Sequence, residues 1–282
     1  PVPPLPEADC TAEAPRLTIS VARLEQLSPA LLELGCPARV YIPLEEVSRL
    51  ESLPGEGPEW CAVLPRVWRD RDEPALRTLL ERARALGFTG VLIGNLGHLP
   101  LVRGLNFHLY GDYGLNVFNS RSLAYLKDKE LESACVSFEL RFAQIRDLKK
   151  VLRAEAIVYG RLPLMITENC LVQNETGCRL DRQGPCVPED GPCRCGQPNV
   201  LVDRTGAAFP LLPAYGHRTE IQNSKPLYLA DRPEHRRLGL AYARLRFTTE
   251  TAEECVSVVQ NYLDAAPAAG DFTRGHYERG VE

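Results

Sequence analysis

The sequence predicts an α/β protein built as a (β/α)8 TIM-like barrel, with a cysteine-rich insertion between strands seven and eight. Three observations predict this class: short apolar, β-branched runs recur, helical segments separate them, and the length suits a barrel of about 250 residues. Eight such runs predict eight parallel strands, and a doubly wound sheet is the alternative. The predicted strands are residues 17–20, 39–43, 62–66, 90–95, 106–111, 134–139, 156–160 and 239–247.

The segments between these runs have the spacing of amphipathic helices. In the segment EPALRTLLERARALG, arginine and glutamate residues fall on one face, and the other face holds Leu76, Leu79, Leu80, Ala83 and Leu86. Gly87 follows this segment, where a helix would end, because glycine readily adopts the left-handed conformation found at helix C-termini. The repeating unit is therefore a strand followed by a helix.

The chain is predicted to consist of a proline-rich linker, residues 1–16, and a barrel domain, residues 17–282. Five prolines in the first fifteen residues oppose helix formation, and no methionine begins the chain. We therefore expect an upstream domain of the same polypeptide as a partner. The chain of 282 residues is long enough to bury a sizeable core, and its net charge of -4 does not by itself indicate a polyanionic partner.

The connection between strands seven and eight is far longer than the few residues that such loops usually need. The predicted insertion, residues 167–232, follows the C-terminal end of a strand, where barrel enzymes build their sites. Within it, residues 199–206 and 208–211 are typical of a hairpin, and residues 227–231 of another extended piece. We expect a lid or a subdomain.

Five of the ten cysteines lie in the insertion, from Cys170 to Cys195, with spacings C-x7-C, C-x7-C, C-x6-C and C-x-C. Thiolates are the usual ligands of iron–sulfur clusters and of zinc, so the cluster predicts a metal site. A structural zinc site and a pair of disulfides are the alternatives. Four of the remaining cysteines adjoin apolar residues and are predicted to be core residues: Cys36, Cys61, Cys135 and Cys255.

Candidate site residues follow the fifth strand. Asp112 and Asn116 lie in the segment GDYGLN, where Gly111 and Gly114 allow the backbone to turn closely around a ligand. The alternative is a tight turn that leads into a helix capped by Asn119 or Ser120.

Two further candidates follow strands six and seven. Glu139 is expected beside Asp112, so the two carboxylates could share a proton. The alternative is an ion pair of Glu139 with Arg141 or Arg161. Arg161 follows strand seven, where its guanidinium could bind a carboxylate or a phosphate of a ligand.

Several long blocks occur in one order along the chain: GDYGLNVFNSRSLAYL, SFELRFAQIRDL, EAIVYGRLPLMITENCLVQN, LVDRTGAAFPL, NSKPLYLADR, FTTE and FTRGHYERGVE. In this order they resemble the collagenase-like peptidase family U32, whose catalytic type is unknown. The resemblance extends from about Leu17 to the C-terminus and is greatest to the cysteine-bearing, C-terminal half of long members.

The resemblance implies a cysteine-bound 4Fe-4S cluster beside the barrel mouth. It places Cys170 on the first cysteine of the family, and Cys178, Cys193 and Cys195 are the best candidates for further ligands. Where many members have Gly-Cys-Arg, this chain has Gly-His-Arg, so that His217 replaces a cysteine. His217 is then a fourth ligand or a bystander, or the cluster is lost; zinc is the alternative metal.

For several relatives the resemblance also implies oxygen-independent hydroxylation of RNA bases or of a quinone precursor. We therefore expect an iron–sulfur-dependent hydroxylase of RNA bases or a similar planar acceptor. The residues expected to position the substrate and to move protons are Asp112, Asn116, Glu139 and Arg161. The alternatives are a peptidase, although neither a His-Glu-x-x-His nor a Gly-x-Ser-x-Gly motif is present, and a noncatalytic accessory domain.

RNA is a candidate partner, and a dense basic group near the end of the chain is the expected phosphate contact. A membrane is not expected, because the sequence has neither an apolar run of about eighteen residues nor a secretory signal at its start. We expect a cytoplasmic protein. The basic group consists of Arg232, Arg236, Arg237, Arg244 and Arg246.

Overall fold

A computed structural model of the chain describes residues 4–7, 9–34, 37–176 and 197–279. Eight parallel strands are hydrogen-bonded side by side in one sheet. The pairing of the sixth strand with the seventh closes this sheet into a barrel. The predicted TIM-like barrel is therefore confirmed. The barrel strands are β1 (Arg16–Ser20), β2 (Arg39–Pro43), β3 (Glu59–Val63), β4 (Gly90–Ile93), β5 (His108–Gly111), β6 (Ser133–Cys135), β7 (Arg153–Gly160) and β13 (Tyr242–Arg246).

Helices follow most barrel strands, and apolar side chains lie between the two layers. The predicted helix over EPALRTLLERARAL buries Leu76, Leu80 and Ala83, and it ends at Gly87, whose φ of 99° is left-handed. The helices are α1 (Pro29–Glu33), α2 (Leu44–Val47), α3 (Glu73–Leu86), α4 (His98–Val102), α5 (Ser120–Asp128), α6 (Phe142–Asp147), α7 (Leu171–Thr176) and α8 (Ala252–Leu263).

Several strand boundaries differ from the sequence prediction, and those of β3 and β6 differ most. β3 begins at Glu59 rather than at residue 62, and Glu59 pairs in register with Arg39 and forms an ion pair with it. β6 ends at Cys135 rather than at residue 139, because the chain then continues through an isolated bridge at Val136 into a turn. These boundaries depend on the pairing with neighbouring strands, which the local sequence does not show.

A second compact unit, Arg161–Pro226, is inserted in the chain between β7 and the rest of the barrel unit. It begins and ends slightly earlier than the predicted insertion, residues 167–232, because Leu227–Tyr228 pairs with β7 as the short strand β12. The unit contains an antiparallel sheet of order β8-β11-β10-β9, and the predicted hairpin is β9 with β10. Its strands are β8 (Pro163–Thr167), β9 (Asn199–Val202), β10 (Ala208–Ala214) and β11 (Arg218–Gln222).

The last part of the predicted linker, residues 1–16, packs on the barrel. The N–H of Cys10 donates to the carbonyl of Lys150 at 2.7 Å, and the N–H of Ala12 to that of Gly239 at 3.3 Å. Arg16 is already the first residue of β1. Among the described residues, no helix is both long and apolar enough to cross a membrane.

Candidate functional site in the barrel

The interior of the barrel holds charged side chains where most barrels hold aliphatic ones. Arg39 is 3% exposed, and Glu155 and Arg244 are each 1% exposed. Their hydrogen bonds join strands that are not neighbours in the sheet, such as β2 with β6 through Arg39 and Ser133 at 3.0 Å. These side chains therefore point into the barrel. Because a buried charge is costly unless it is paired, each must have partners.

Arg244 is the centre of the interior charges. Its Nη2 donates to Oε2 of Glu155, and its Nη1 donates to Oδ1 of Asp112. Glu155 also accepts hydrogen bonds from the hydroxyl groups of Thr18, at 2.6 Å, and Tyr41, at 3.2 Å. Although burial alone raises the pKa of the Glu155 carboxyl, Arg244 and Thr18 outweigh it and lower that pKa. Glu155 is therefore a carboxylate at neutral pH.

Arg39 forms a second group of contacts, which begins at the N-terminal end of β2. Its Nε donates to Oε2 of Glu59 at 2.7 Å. Its Cζ lies 3.6 Å from the ring centroid of Tyr110 and 4.2 Å from that of Tyr242, so the guanidinium is held between two rings. Nη1 of Arg39 also reaches the hydroxyl of Tyr41 at 3.4 Å, which links this group to Glu155.

Asp112 lies directly after β5, at the C-terminal end of the barrel, and it is 5% exposed. Oδ1 accepts from Arg244 and from the backbone N–H of Tyr113 at 2.9 Å. Among the described residues, both side-chain hydrogen bonds of Asp112 fall on Oδ1. The carboxylate is thus fixed through one oxygen, and Oδ2 is the atom that can accept a proton or a hydrogen bond from a ligand.

Three side chains meet at the same end of the barrel. Arg66 follows β3, Tyr113 follows β5, and Arg246 is the last residue of β13. The Cζ atom of Arg66 lies 5.1 Å from the ring centroid of Tyr113, and that of Arg246 lies 5.8 Å from it. Tyr113 is 9% exposed and packs on Phe138 at 5.7 Å between ring centroids. Two guanidinium groups therefore share one ring.

The other candidate site residues occupy different surroundings. Asn116 is exposed and has a left-handed φ of 50° at the end of the turn that Asp112 begins. Glu139 is also exposed, and its backbone N–H donates to Oγ of Ser137 at 3.4 Å. Asp112 is thus ion-paired with Arg244 instead of sharing a proton with Glu139. Arg161 belongs to the second unit, where Nη1 donates to the carbonyls of Asn223, at 3.1 Å, and Ser224.

The candidate metal ligands belong to the second unit. Cys170 is a free thiol and is 6% exposed. His217 is half-buried in the turn between β10 and β11, with a left-handed φ of 59°. Cys178, Cys193 and Cys195 lie outside the described residues, as does Cys36. Within the described ranges, no group of three or more His, Cys, Asp or Glu side chains could hold a metal ion.

Three cysteines of the barrel unit are core residues, as predicted. Cys61, Cys135 and Cys255 are fully buried. Burial raises the pKa of each of these thiols, so they remain protonated at neutral pH. A protonated thiol is neither a metal ligand nor a nucleophile.

The basic group predicted to contact RNA is divided by the structure. Arg244 lies inside the barrel with Glu155 and Asp112, and Arg246 reaches Tyr113. On the outside, Arg232 forms an ion pair with Glu278 at 2.9 Å. Arg244, which is 1% exposed, is therefore not part of an RNA-binding surface, because its guanidinium points into the barrel. The RNA partner itself stays a prediction.

Sequence reasoning missed the interior charges and one further carboxyl. Arg39 and Glu155 sit within apolar strands, and a charged residue inside an otherwise apolar strand was the available signal. Glu45 follows β2 on α2, is half-buried, and has its pKa raised to about 7 by burial. A half-buried carboxyl after a barrel strand has the pKa of a general acid or base.

The fold and this site define a TIM-like barrel with a charged interior and an inserted antiparallel sheet. Residues 53–199, just over half of the chain, match the model of Peptidase family U32. The chain therefore belongs to this family.

Solved structures with a similar fold include the U32 peptidase Mk0906, at 9% identity and a TM-score of 0.45, with 89% of this chain and 98% of that chain covered. They also include CutC from Streptococcus agalactiae, at 14% identity and a TM-score of 0.38, with 50% of this chain and 87% of that chain covered. No curated protein matches the sequence.

Proposed function

We propose that this chain is an iron–sulfur-dependent, oxygen-independent hydroxylase that acts on RNA bases or a similar planar acceptor. Cys170, Cys178, Cys193 and Cys195 would hold a 4Fe-4S cluster, and His217 is an alternative ligand. When bound, such a cluster supplies one-electron redox chemistry. The proposal adds a particular activity to the family membership, and the cysteines named above support that activity.

The observation that carries the proposal is the state of Cys170. It is a free thiol, not half of a cystine, and four further cysteines follow it within the next 25 positions of the same unit. Cysteine residues at such spacings have the donor chemistry of an iron–sulfur site. Zinc would use the same donors, so the metal must be measured.

In the barrel unit, Asp112 would hold the proton that moves during hydroxylation. Arg244 and the N–H of Tyr113 fix Oδ1, so Oδ2 keeps one orientation toward a ligand. The exposed side chains of Asn116 and Glu139 would bind polar groups of the substrate. Arg161 is engaged by two backbone carbonyls, so its role would be to stabilise the second unit.

The name of the family supports a second candidate function, peptidase activity. A cysteine peptidase would need a reactive thiolate, whereas the buried thiols of Cys61, Cys135 and Cys255 have raised pKa values. Asp112 could instead activate a water molecule for peptide hydrolysis through Oδ2. A third candidate, a noncatalytic domain that docks on an upstream domain of the same polypeptide, predicts neither a cluster nor cleavage.

We also propose a cytoplasmic location. Five cysteines of the described part of the chain are free thiols, and reduced thiols persist in the cytoplasm. Membrane separation and thiol labelling in intact cells would test this; recovery of the protein in an oxidised compartment would contradict it.

The test is anaerobic purification followed by visible absorption, electron paramagnetic resonance after reduction, and iron, sulfide and zinc analysis. Cys170→Ala should lose iron, whereas the control Cys10→Ser should retain it, because Cys10 belongs to the barrel unit. Stoichiometric zinc without iron would overturn the proposal.

The substrate needs a separate test. Mass spectrometry of nucleosides from a deletion strain should show one hydroxylated base missing, and the wild-type gene but not Asp112→Asn should restore it. Unchanged nucleosides together with metal-independent cleavage of casein would favour the peptidase.

A further inference from the structure

We infer that a cavity beside α5 binds a planar heterocycle whose ring contains an amide, as the rings of uracil and hypoxanthine do. The cavity lies within the barrel unit and has a volume of about 360 Å³, at the small end of the range found for ligand sites. None of the residues given a role in the proposed function lines it, so the inference goes beyond that function. Its lining includes Leu96, Leu115, Asn119, Ser122, Tyr125 and Leu126.

The segments after β4 and β5 form the apolar wall of the cavity. Leu96 lies three positions after the last residue of β4, and Leu115 four positions after the last residue of β5. A Cβ atom on Gly111 would lie 2.9 Å from Cδ1 of Leu115, so this leucine packs along the bare backbone of Gly111. Leu96 is 42% exposed, so the wall offers apolar surface to a ligand.

Tyr125 adds an aromatic surface to this wall. It is 48% exposed although it lines the cavity. Ser122 and Leu126 share its side of α5, because residues three or four positions apart are neighbours on a helix and Leu126 follows Ser122 by four. Nζ of Lys129 lies 5.2 Å from the ring centroid of Tyr125 and holds the ring by a cation–π contact. A half-exposed ring beside leucine side chains suits the stacking of a planar ligand.

Asn119 and Ser122 place one donor and one acceptor side by side. Oδ1 of Asn119 accepts from the backbone N–H of Ser122 at 3.0 Å, so this atom must be the oxygen of the amide. The hydroxyl of Ser122 donates to the same Oδ1 at 3.3 Å, which leaves the lone pairs of Oγ as acceptors. Among the described residues, Nδ2 of Asn119 donates to no protein group. Nδ2 and Oγ therefore present a donor and an acceptor at one end of the cavity.

This pair identifies the class of ligand. It complements a C=O and an N–H that point to the same side of the ligand. In a trans peptide bond these groups point to opposite sides, so a peptide backbone does not present both together. In a ring amide they are cis and share one edge of a planar ring, which can also stack on Tyr125. No carboxylate lines the cavity among the described residues, so a cationic ligand is not favoured.

The test is calorimetric titration of the purified chain with uridine and with inosine, both of which carry a ring amide. We expect at least one of them to bind with 1:1 stoichiometry. Their methylated counterparts, 3-methyluridine and 1-methylinosine, lack the N–H that would donate to Oγ of Ser122. Because a half-buried acceptor is then left unpaired, each should bind at least about tenfold more weakly than its parent.

Three variants locate the site. Tyr125→Leu removes the ring but keeps an apolar side chain, and it should weaken binding about tenfold. Asn119→Asp keeps the oxygen that caps α5 and loses the Nδ2 donor, so a loss of similar size is expected. In Ser122→Ala the parent and the methylated nucleoside should bind equally, a result that misfolding does not produce. Ser257→Ala, exposed on α8, is the matched control and should bind within about twofold of wild type.

The inference would be overturned if neither nucleoside bound, or if each bound as tightly as its methylated counterpart. Unchanged binding in both Tyr125→Leu and Asn119→Asp would overturn it as well. The comparison with the methylated nucleosides uses the wild-type chain, so it decides the question even if a variant does not fold.

A trinucleotide of uridine distinguishes two sources of the heterocycle. Tighter binding of the trinucleotide than of uridine supports a base within a nucleic-acid strand. Equal or weaker binding supports a free heterocycle.

The outcome is separable from that of the proposed function. Cys170→Ala should lose iron but bind the nucleoside as the wild type does, because the cavity belongs to the barrel unit and Cys170 to the second unit. Asp112→Asn should also bind within about twofold of wild type, since Asp112 does not line the cavity. Binding that is lost in Asp112→Asn and unchanged in Tyr125→Leu would place the base at Asp112 and overturn the inference.

Discussion

Arg244 and Asp112 form an ion pair in the barrel although 132 positions separate them in the chain. Arg244 is at the same time paired with Glu155, 89 positions earlier. One guanidinium therefore joins β13 to β7 and to the residue that follows β5, across the interior. The contact fixes the orientation of Asp112 at the C-terminal end of the barrel.

Replacement of this cation tests its structural role. Arg244→Met should lower the free energy of unfolding at pH 7 by about 3–5 kcal/mol, because Glu155 and Asp112 are left as buried, unpaired carboxylates. Without the cation, burial raises the pKa of the Glu155 carboxyl in the folded state, so the variant should lose stability as pH rises through that value. Urea unfolding at several pH values measures both effects.

The double variant Arg244→Met with Glu155→Gln is the matched control. It removes the charge of Glu155, one of the two carboxylates left unpaired in Arg244→Met. It should therefore recover part of the free energy of unfolding that is lost at pH 7. The proposed balance of charges would be contradicted if the stability that Arg244→Met loses did not depend on pH. It would also be contradicted if the double variant recovered none of that stability.

The barrel could be predicted from the sequence because its signals are local. Each strand is a short apolar run, as in AIVYG of β7, and each run is recognisable without knowledge of its neighbours. α3 and its end at Gly87 likewise depend on residues close in sequence. The strand count and the parallel order followed from these local patterns.

The interior charges could not be predicted because their partners are distant. Arg39 and Glu155 have the same residue types that a solvent-facing position would have, and only the closed barrel shows that they point inward. Asp112 was found because it follows a strand between two glycines. Its partner Arg244 is predicted to contact RNA, since arginine is usually exposed and the two ion-pair partners of Arg244 are distant in the sequence.

His98 provides a test by pH. It is fully buried on α4, and burial lowers its pKa to about 4, although the carbonyl of Pro65, 3.1 Å from Nε2, opposes this effect. The unfolded chain takes up a proton near pH 6.5 and the folded chain only near pH 4. The free energy of unfolding should therefore have its full value above pH 6.5. It should decrease by about 3 kcal/mol as pH falls to about 4.

The measurement is the NMR titration of the imidazole signals together with unfolding at pH 7, 5.5 and 4. His98→Gln can still donate to Pro65 but does not titrate, so its stability should vary less over this range. A His98 signal that titrates near pH 6.5 would refute the prediction.

Glu45 should show the opposite pH dependence. Burial raises its pKa from 4.5 to about 7, so its ionisation opposes folding, and stability is lost as pH rises through about 7. Glu45→Gln should stabilise the chain by about 1–2 kcal/mol at pH 8, an amount reduced because the side chain is half-buried, and should have no effect below pH 4.5.

Thermal unfolding at pH 4 and pH 8 checks this expectation. Glu33→Gln is the control. Glu33 is exposed on α1, so this variant should be as stable as the wild type at both pH values. Equal stability of Glu45→Gln and wild type at pH 8 would show that Glu45 ionises without cost.

The contact of Gly114 with Gly94 gives a prediction on packing that is independent of charge. In Gly114→Ala the new Cβ would lie 2.6 Å from the carbonyl oxygen of Gly94, and backbone cannot move aside as a flexible side chain can. We expect a loss of about 1–3 kcal/mol in the free energy of unfolding, measured by urea denaturation. Gly55→Ala is the matched control, because its Cβ would meet only Cδ1 of Leu32 at 3.4 Å. If both alanine variants unfold at the same urea concentration, the segments after β4 and β5 do not touch as described.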